Sequence, residues 1–183
     1  MDAIRVDEDT ALIPTTSGQA ALLFAIVDAN RAYLKTWFPW IAQSVTVNDT
    51  VAFLETSERA RSAGLAYEFL IEHRGDFCGV VGLNQIDKVN RAANCGYWIA
   101  EHHQGRGLVT TGCRVLLDFG FDAVGLNRVS VATATENHRS RRVAERLGFS
   151  YEGTFREVEW LNNRFVDHAR YALLRRDWER DAC

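Results

Sequence analysis

A mixed α/β layer fold is predicted for this 183-residue chain from three observations. Strand-like segments follow one another through the middle, and in the last of them Cys95, Tyr97 and Ile99 alternate with Asn94, Gly96, Trp98 and Ala100. The period then changes. Val109, Cys113, Leu116, Gly120 and Ala123 fall at helical spacing, and a further strand and helix follow before two long strands around Asn162-Asn163.

The elements can be taken in order. Residues 3 to 13 are expected to form a short strand. Thr16 or Ser17 can cap a helix whose apolar stripe runs Leu23, Ile26, Val27, Tyr33 and Trp37. A second helix over 48 to 63 stops at Gly64, because glycine tolerates the left-handed conformation that ends helices. Strands are predicted at 66 to 73, 77 to 86 and 93 to 101, the first two joined through Gly75-Asp76. The central helix stops at Gly125 and Asn127. A strand at 127 to 134, a helix at 137 to 147 and a hairpin complete the chain. Two asparagines at the hairpin tip tolerate the positive φ angles of a tight two-residue turn.

Composition bounds the function. No repeat, low-complexity segment or linker divides the sequence, so residues 1 to 183 are read as one domain, long enough to bury a substantial core. A net charge of −3 gives no global reason to bind nucleic acid or membrane, so any anion site must be local. Cys78, Cys95, Cys113 and Cys183 have no metal-like spacing, which reads as reduced thiols in a cytoplasmic protein with no metal. The N-terminal residues lack an apolar signal core, and no stretch approaches the roughly 20 apolar residues of a membrane span.

The run from His103 to Thr110 joins the third middle strand to the central helix through Gly105 and Gly107. A helix start offers free N–H groups and a partial positive charge, and glycines let the backbone come close, so the junction suits a phosphate. It lacks the Gly-Lys-Ser/Thr of a P-loop, and it has two glycines where a dinucleotide fingerprint has three. The remaining pattern is Gln104-x-x-Gly107-x-Val109.

In that pattern the chain resembles the GNAT superfamily of acetyl-coenzyme A dependent N-acetyltransferases, and within it the RimJ/RimL type that acts on ribosomal proteins. The superfamily loop ends in Gly or Ala where this chain has Val109, a departure that resembles the RimL-like branch. Further matches are Asn30-Arg31, Trp37 to Trp40, Gly96-Tyr97-Trp98, Asn137 with Ser140, Arg146-Leu147-Gly148-Phe149, Glu152-Gly153 and Glu159-Trp160-Leu161-Asn162.

The resemblance implies a central, mostly antiparallel twisted sheet whose middle strands, 93 to 101 and 127 to 134, splay apart around the pantetheine arm. It implies that acetyl-CoA is held by Trp98, Ile99, Gln104, Gly105, Arg106, Gly107, Leu108, Val109, Thr110 and Asn137. It also implies Glu159 as general base and Ser140 as the hydroxyl that protonates the thiolate, with direct transfer in a ternary complex. From the residues alone, Asn137 is an N-cap, Tyr97, Trp98 and Ile99 pack in the core, and Glu157 and Glu159 share one face of a strand. Arg139, Arg141 and Arg142 read either as phosphate ligands or as a solvated helix face. Cys113 reads as a buried thiol rather than a nucleophile, and His102 and His103, adjacent in a strand, point apart and cannot share a metal.

The acceptor implied is the α-amine of a ribosomal protein N-terminus. Related sequences acetylate small amines, polyamines or antibiotics, and a non-catalytic acetyl-CoA sensor is a third reading. Trp37-Phe38-Pro39-Trp40 either anchors the core, the favoured reading, or walls the acceptor groove. A homodimer enters by resemblance, and an exposed edge in the C-terminal hairpin would suit its contact.

Overall fold

Along the first middle strand, Phe69 and Ile71 turn to one side and Leu70 to the other, and each side packs into its own hydrophobic cluster. The computed structural model describes residues 1–181. Its order is β1 (Ile4–Arg5), β2 (Thr10–Pro14), α1 (Ala20–Ala29), α2 (Arg31–Leu34), α3 (Val47–Ser62), β3 (Tyr67–His73), β4 (Asp76–Asp87) and β5 (Ala92–Ile99). Then come α4 (Leu108–Asp118), β6 (Arg128–Ala134), α5 (His138–Arg146), β7 (Ser150–Leu161), β8 (Arg164–Leu174) and α6 (Arg175–Asp181).

All eight strands form one sheet in the order β1-β2-β3-β4-β5-β6-β8-β7. Every pairing is antiparallel except β5 with β6, which is parallel. The expected mixed architecture is therefore present, with helices on both faces. One face carries α4 and α5, whose Leu116, Leu117 and Ala144 pack with Phe69, Val81 and Val129. On the other, Leu23 and Val27 of α1 and Leu54 of α3 cover Leu70 and Val80. Truncating a fully buried leucine such as Leu116 would cost about 2–5 kcal/mol.

Several boundaries differ from the sequence reading, each for an identifiable physical reason. The strand expected at 3 to 13 is two strands, because the Asp7 carboxylate accepts the Asp9 N–H at 2.9 Å and turns the chain between them. The helix expected to carry Tyr33 and Trp37 in one stripe breaks at Asn30. That side chain donates to the Ile26 carbonyl at 2.8 Å and accepts the Glu101 N–H at 2.8 Å, tying the break to the end of β5. Thr16 opens a 3-10 turn, Ser17–Gln19, rather than α1 itself. The β3–β4 turn uses Arg74 and Gly75, both at positive φ, one residue earlier than expected. After Asp118, α4 relaxes into a π turn, Phe119–Ala123, before Gly125 ends it at φ +77°.

The hairpin tip is as read, with Asn162 at φ +51° and Asn163 at φ +62°. Between Phe155 and Glu159, however, β7 carries a bulge: it advances four residues while β8 advances two, from His168 to Val166. Glu157 stands at φ +53° there, its N–H donating to the Asp167 carboxylate at 2.8 Å. The bulge breaks the period of two, so Glu157 and Glu159 do not share a regular strand face. Cys183 lies outside the described residues; Cys78, Cys95 and Cys113 are buried free thiols. Among the described residues no helix is long and apolar enough to cross a membrane.

Candidate active site

Parallel pairing between β5 and β6 lasts from Ala92 with Arg128 to Asn94 with Ser130, and then stops. Beyond it β5 runs on along β4 to Ile99, and β6 runs on along β8 to Ala134. The facing edges of Cys95–Ile99 and Val131–Ala134 therefore have no ladder partner in each other. At the closed end, Ser130 donates to the Asn94 side-chain oxygen at 2.6 Å. At the open end the Tyr97 hydroxyl donates to the Ser140 carbonyl at 2.9 Å, propping the start of α5 against β5. Backbone groups along such a gap are left to bind something else.

A cavity of about 580 Å³ lies at this opening, walled by Tyr97–Ile99, by the loop before α4 and by α5. Gly107 is the N-cap of α4 at φ +80°, with no side-chain cap and no acid in the first turn. The first N–H groups of that helix are thus left without side-chain partners. A Cβ at Gly105 or Gly107 would meet no protein atom within 4 Å, so both glycines face open space. Val109 is 9% exposed and packs in the α4-side core. The larger residue at the last motif position is thus mostly buried in the core while also forming part of the cavity wall.

Arg139, Arg142 and Arg146 bring positive charge to the same cavity. Arg139 donates to Gln104 Oε1, while Gln104 Nε2 is buried with no partner. Arg141 has a structural task instead, donating to the Tyr171 hydroxyl at 2.9 Å and the Thr135 carbonyl at 3.1 Å. A glycine cradle at a helix start, clustered guanidinium groups and an orphaned amide donor all fit a polyphosphorylated ligand such as coenzyme A.

Asn137 caps α5 by accepting the Ser140 N–H at 3.2 Å. The Ser140 hydroxyl donates to the Tyr97 hydroxyl at 3.3 Å. Burial pushes the Tyr97 phenol far above its ordinary value, so it stays protonated. Burial likewise pushes the Cys113 thiol up, which leaves it a poor nucleophile.

A second cavity, about 660 Å³, lies on the α1/α3 face of the sheet and shares the wall Phe38, Tyr97 and Trp98 with the first. Trp40 and Phe53 add aromatic surface, and Asp49 and Glu68 add carboxylates. Burial raises the Glu68 pKa against the opposing pull of Ser57 and Arg61, and its Oε2 has no hydrogen-bond partner.

The predicted ligand residues Trp98, Ile99, Gln104, Gly105, Gly107, Leu108, Val109, Thr110 and Asn137, and the predicted acid Ser140, all line the first cavity. Arg106 and Glu159 line neither. Glu159 Oε2 stands 3.0 Å from His168 Nε2 on the neighbouring strand, with 26% of its side chain exposed. Trp37, Phe38 and Trp40 wall the cavities, while core anchoring in this segment falls to Leu34 and Ile41. Tyr33, read as part of an apolar stripe, packs against the α1/α3-side core and also lines the first cavity. The sequence reading offered Phe38 and Trp40 as groove walls but missed Glu68 and the floor of the second cavity, because opposing residues such as Gly82 and Gly96 declare no site until the strands are paired. His102 and His103 belong to a 3-10 turn, not a strand, with ring centroids 4.2 Å apart. Among the described residues, no group of three His, Cys, Asp or Glu side chains could hold a metal.

Comparison with known proteins agrees with this geometry. The family model described as an acetyltransferase (GNAT) domain matches residues 10–150. The putative ribosomal N-acetyltransferase YdaF of Bacillus subtilis is 42% identical over 117 residues, 64% of this chain and 61% of that protein. The ribosomal-protein-serine acetyltransferase of Escherichia coli is 27% identical over 173 residues, 94% of this chain and 97% of that protein. A solved structure of the RimL ribosomal L7/L12 α-N-protein acetyltransferase in complex with coenzyme A superposes with a TM-score of 0.92 at 26% identity. It covers 94% of this chain and 97% of that one. The microcin C7 self-immunity acetyltransferase MccE, in complex with acetyl-CoA and AMP, gives 0.90 at 27% identity over 94% and 96% of the two chains.

Proposed function

The chain belongs to the acetyltransferase (GNAT) family, and from that premise we propose that it is an acetyl-CoA-dependent N-acetyltransferase acting on the α-amine of a protein N-terminus. A ribosomal protein is the acceptor class that its full-length relative suggests. The observation that carries the reading is the meeting of two cavities at one wall, Phe38, Tyr97 and Trp98, beside the β5–β6 gap. One cavity is lined with arginines and suits a polyanion. The other contains no basic side chain and suits an amine.

In this reading acetyl-CoA supplies an activated acyl thioester. The backbone of Gln104 to Thr110, with the Arg106 charge beside it, holds the pyrophosphate, and Arg139, Arg142 and Arg146 neutralise the remaining phosphate charge. The unpaired β5 edge, where alternation turns the backbone of Ile99 toward the gap, hydrogen-bonds the pantetheine and stabilises the oxyanion, while Trp98, its backbone turned to β4, contributes its side chain to the wall. Asn137 contributes its side chain while capping α5.

An ammonium cannot attack, so the amine must first lose a proton. We assign that proton, through water, to Glu159, which His168 orients; His168 pairs in register with Ala134 at the end of β6. Ser140 passes its hydroxyl proton to the departing sulfur and regains one from solvent, while the Tyr97 hydroxyl, which stays protonated and accepts from Ser140, positions it. No covalent enzyme intermediate is needed.

The edge strand β7 exposes Tyr151, Phe155, Val158 and Trp160, a surface that supports a homodimer. Buried, unpaired thiols are consistent with a reducing cytoplasm. The acidic second cavity also favours a small cationic amine as a second reading, and the spermidine N(1)-acetyltransferase of Escherichia coli is a 27% identical relative over 110 residues. Incubation with acetyl-CoA and a panel of free-N-terminal peptides, polyamines and aminoglycosides, read by product mass, tests both. Acetylation at a peptide α-amine is the expected result. Product from polyamines alone would replace the peptide reading, and no product at all would leave a sensor.

A further inference from the structure

Glu68 lies in the second cavity on a row that the sheet register defines: it pairs with Gly82, and Gly82 pairs with Gly96. Both glycines line the same cavity, so two consecutive positions beside Glu68 carry no side chain on its floor. A Cβ at Gly82 would come within 2.9 Å of Glu68 Cγ, which places the start of the glutamate side chain over Gly82. Strands lie about 4.8 Å apart, so its backbone stands roughly 10 Å from β5.

The charge balance of this cavity is one-sided. Among the described residues no Lys, Arg or His lines it, and five aromatic residues do: Phe38, Trp40, Phe53, Tyr97 and Trp98. Its other carboxylate, Asp49, is already occupied, accepting from Val45 N at 3.0 Å, Thr46 N at 2.7 Å and Thr46 Oγ1 at 2.9 Å. The Arg61 guanidinium, whose charge reaches Glu68, donates instead to the Thr15 carbonyl at 2.7 Å. Ser57, beside Glu68, shares a hydrogen bond with Thr15 at 3.1 Å. Glu68 is thus a half-buried carboxylate, steadied by Ser57 and Arg61 but with its Oε2 buried and unpartnered, in a cavity whose aromatic faces attract cations.

We propose that Glu68 is a specificity-determining residue that binds a second cationic group of the acceptor, carried on an apolar stem away from the amine that is acetylated. The inference rests on the transferase reading and deepens it. Its separation from the gap makes Glu68 an anchor for the acceptor rather than the base for the reacting nitrogen. Two sources present this chemistry, a peptide whose first or second residue is basic and a short alkyl diamine.

The test compares matched acceptors with and without the second cation, using wild type and the isosteric Glu68→Gln. One arm uses peptides bearing lysine or norleucine at the second residue; the other uses 1,4-diaminobutane and butylamine. In at least one arm, wild type is expected to prefer the cationic member by tenfold or more in kcat/KM. Glu68→Gln should bring that ratio within about twofold, through KM rather than kcat, while the acetyl-CoA Kd and the melting transition show an intact site and fold. The arm that discriminates identifies the source. A preference unchanged in Glu68→Gln, or product formed in wild type with no preference in either arm, overturns this inference alone. No product from any amine overturns the transferase reading and this inference with it.

Discussion

Gly107 and Gly125 form a matched pair for testing the cradle. Both hold left-handed backbone, at φ +80° and +77°, and at both a Cβ would meet no protein atom within 4 Å. Gly107 lines the first cavity and Gly125 lines neither. Replacing either by alanine puts an L-residue into the left-handed region, at a cost of roughly 1–2 kcal/mol. For a chain of this length that is a fall of about 2–8 °C in Tm, similar in both variants. Ligand binding should separate them. A methyl at Gly107 occupies the space that a pyrophosphate needs to reach the α4 N–H groups. Losing one charge-assisted hydrogen bond there costs roughly 1.5–3 kcal/mol, a rise of about 10–150-fold in Kd. Calorimetric titration with coenzyme A measures it. Equal affinities for Gly107→Ala and Gly125→Ala would refute the pyrophosphate assignment, whatever their melting temperatures.

Four further outcomes are expected. Glu159→Gln should lower kcat at pH 7 by about 10²-fold or more with acetyl-CoA affinity kept, and full activity would remove the base assignment. Ser140→Ala and Tyr97→Phe should each lower kcat, and the double variant should lose little more than the worse single one; fully additive losses would separate the two hydroxyls. Burial raises the folded-state pKa of Glu68 above the 4.5 of an exposed glutamate, so stability is lost as pH rises from 4.5 toward that folded value and the loss is complete above it. Glu68→Gln without acceptor should therefore raise Tm at pH 7 and leave it unchanged well below 4.5; a lowered Tm at pH 7 would contradict the unpaired-carboxylate description. Trp160, 56% exposed on the edge strand, should sit in the dimer contact, so sedimentation should find wild type at twice the 20.7 kDa chain mass and Trp160→Glu as monomer.

What could be read in the sequence follows how local the determinant is. The α4 junction and the Asn162-Asn163 turn are set by residues adjacent in the chain, and both stand where their glycines and asparagines indicate. Asn137 as a cap is equally local. Small boundary errors such as the Asp7 turn are local, but the failures that bear on the site depend on partners distant in sequence. Asn30 breaks the helix because it accepts from Glu101, 71 residues away. The period-two argument for Glu157 fails because the bulge is a property of β7 against β8. Glu68 acquires its setting from the register with Gly82 and Gly96, which no spacing along one strand reveals.

The overall charge of −3 conceals the electrostatic organisation that matters. Arginines from α5 gather on the side of the sheet where α4 begins, and the aromatic cavity with its carboxylates occupies the side covered by α1 and α3. Strand alternation produces this separation, since Tyr97 packs with the α4-side core and Trp98 with the other. The two sides can meet only where the sheet is open, and it opens where the β5–β6 pairing ends after Asn94. A polyanionic acyl donor and a cationic acceptor would therefore each be drawn to its own face, with the reacting groups converging at the gap. Filling the first cavity should not by itself require the second to change shape, because apart from Phe38, Tyr97 and Trp98 their walls are separate. On that geometry the two substrates bind independently, and initial-rate kinetics should fit a random-order ternary complex; a ping-pong pattern would contradict it.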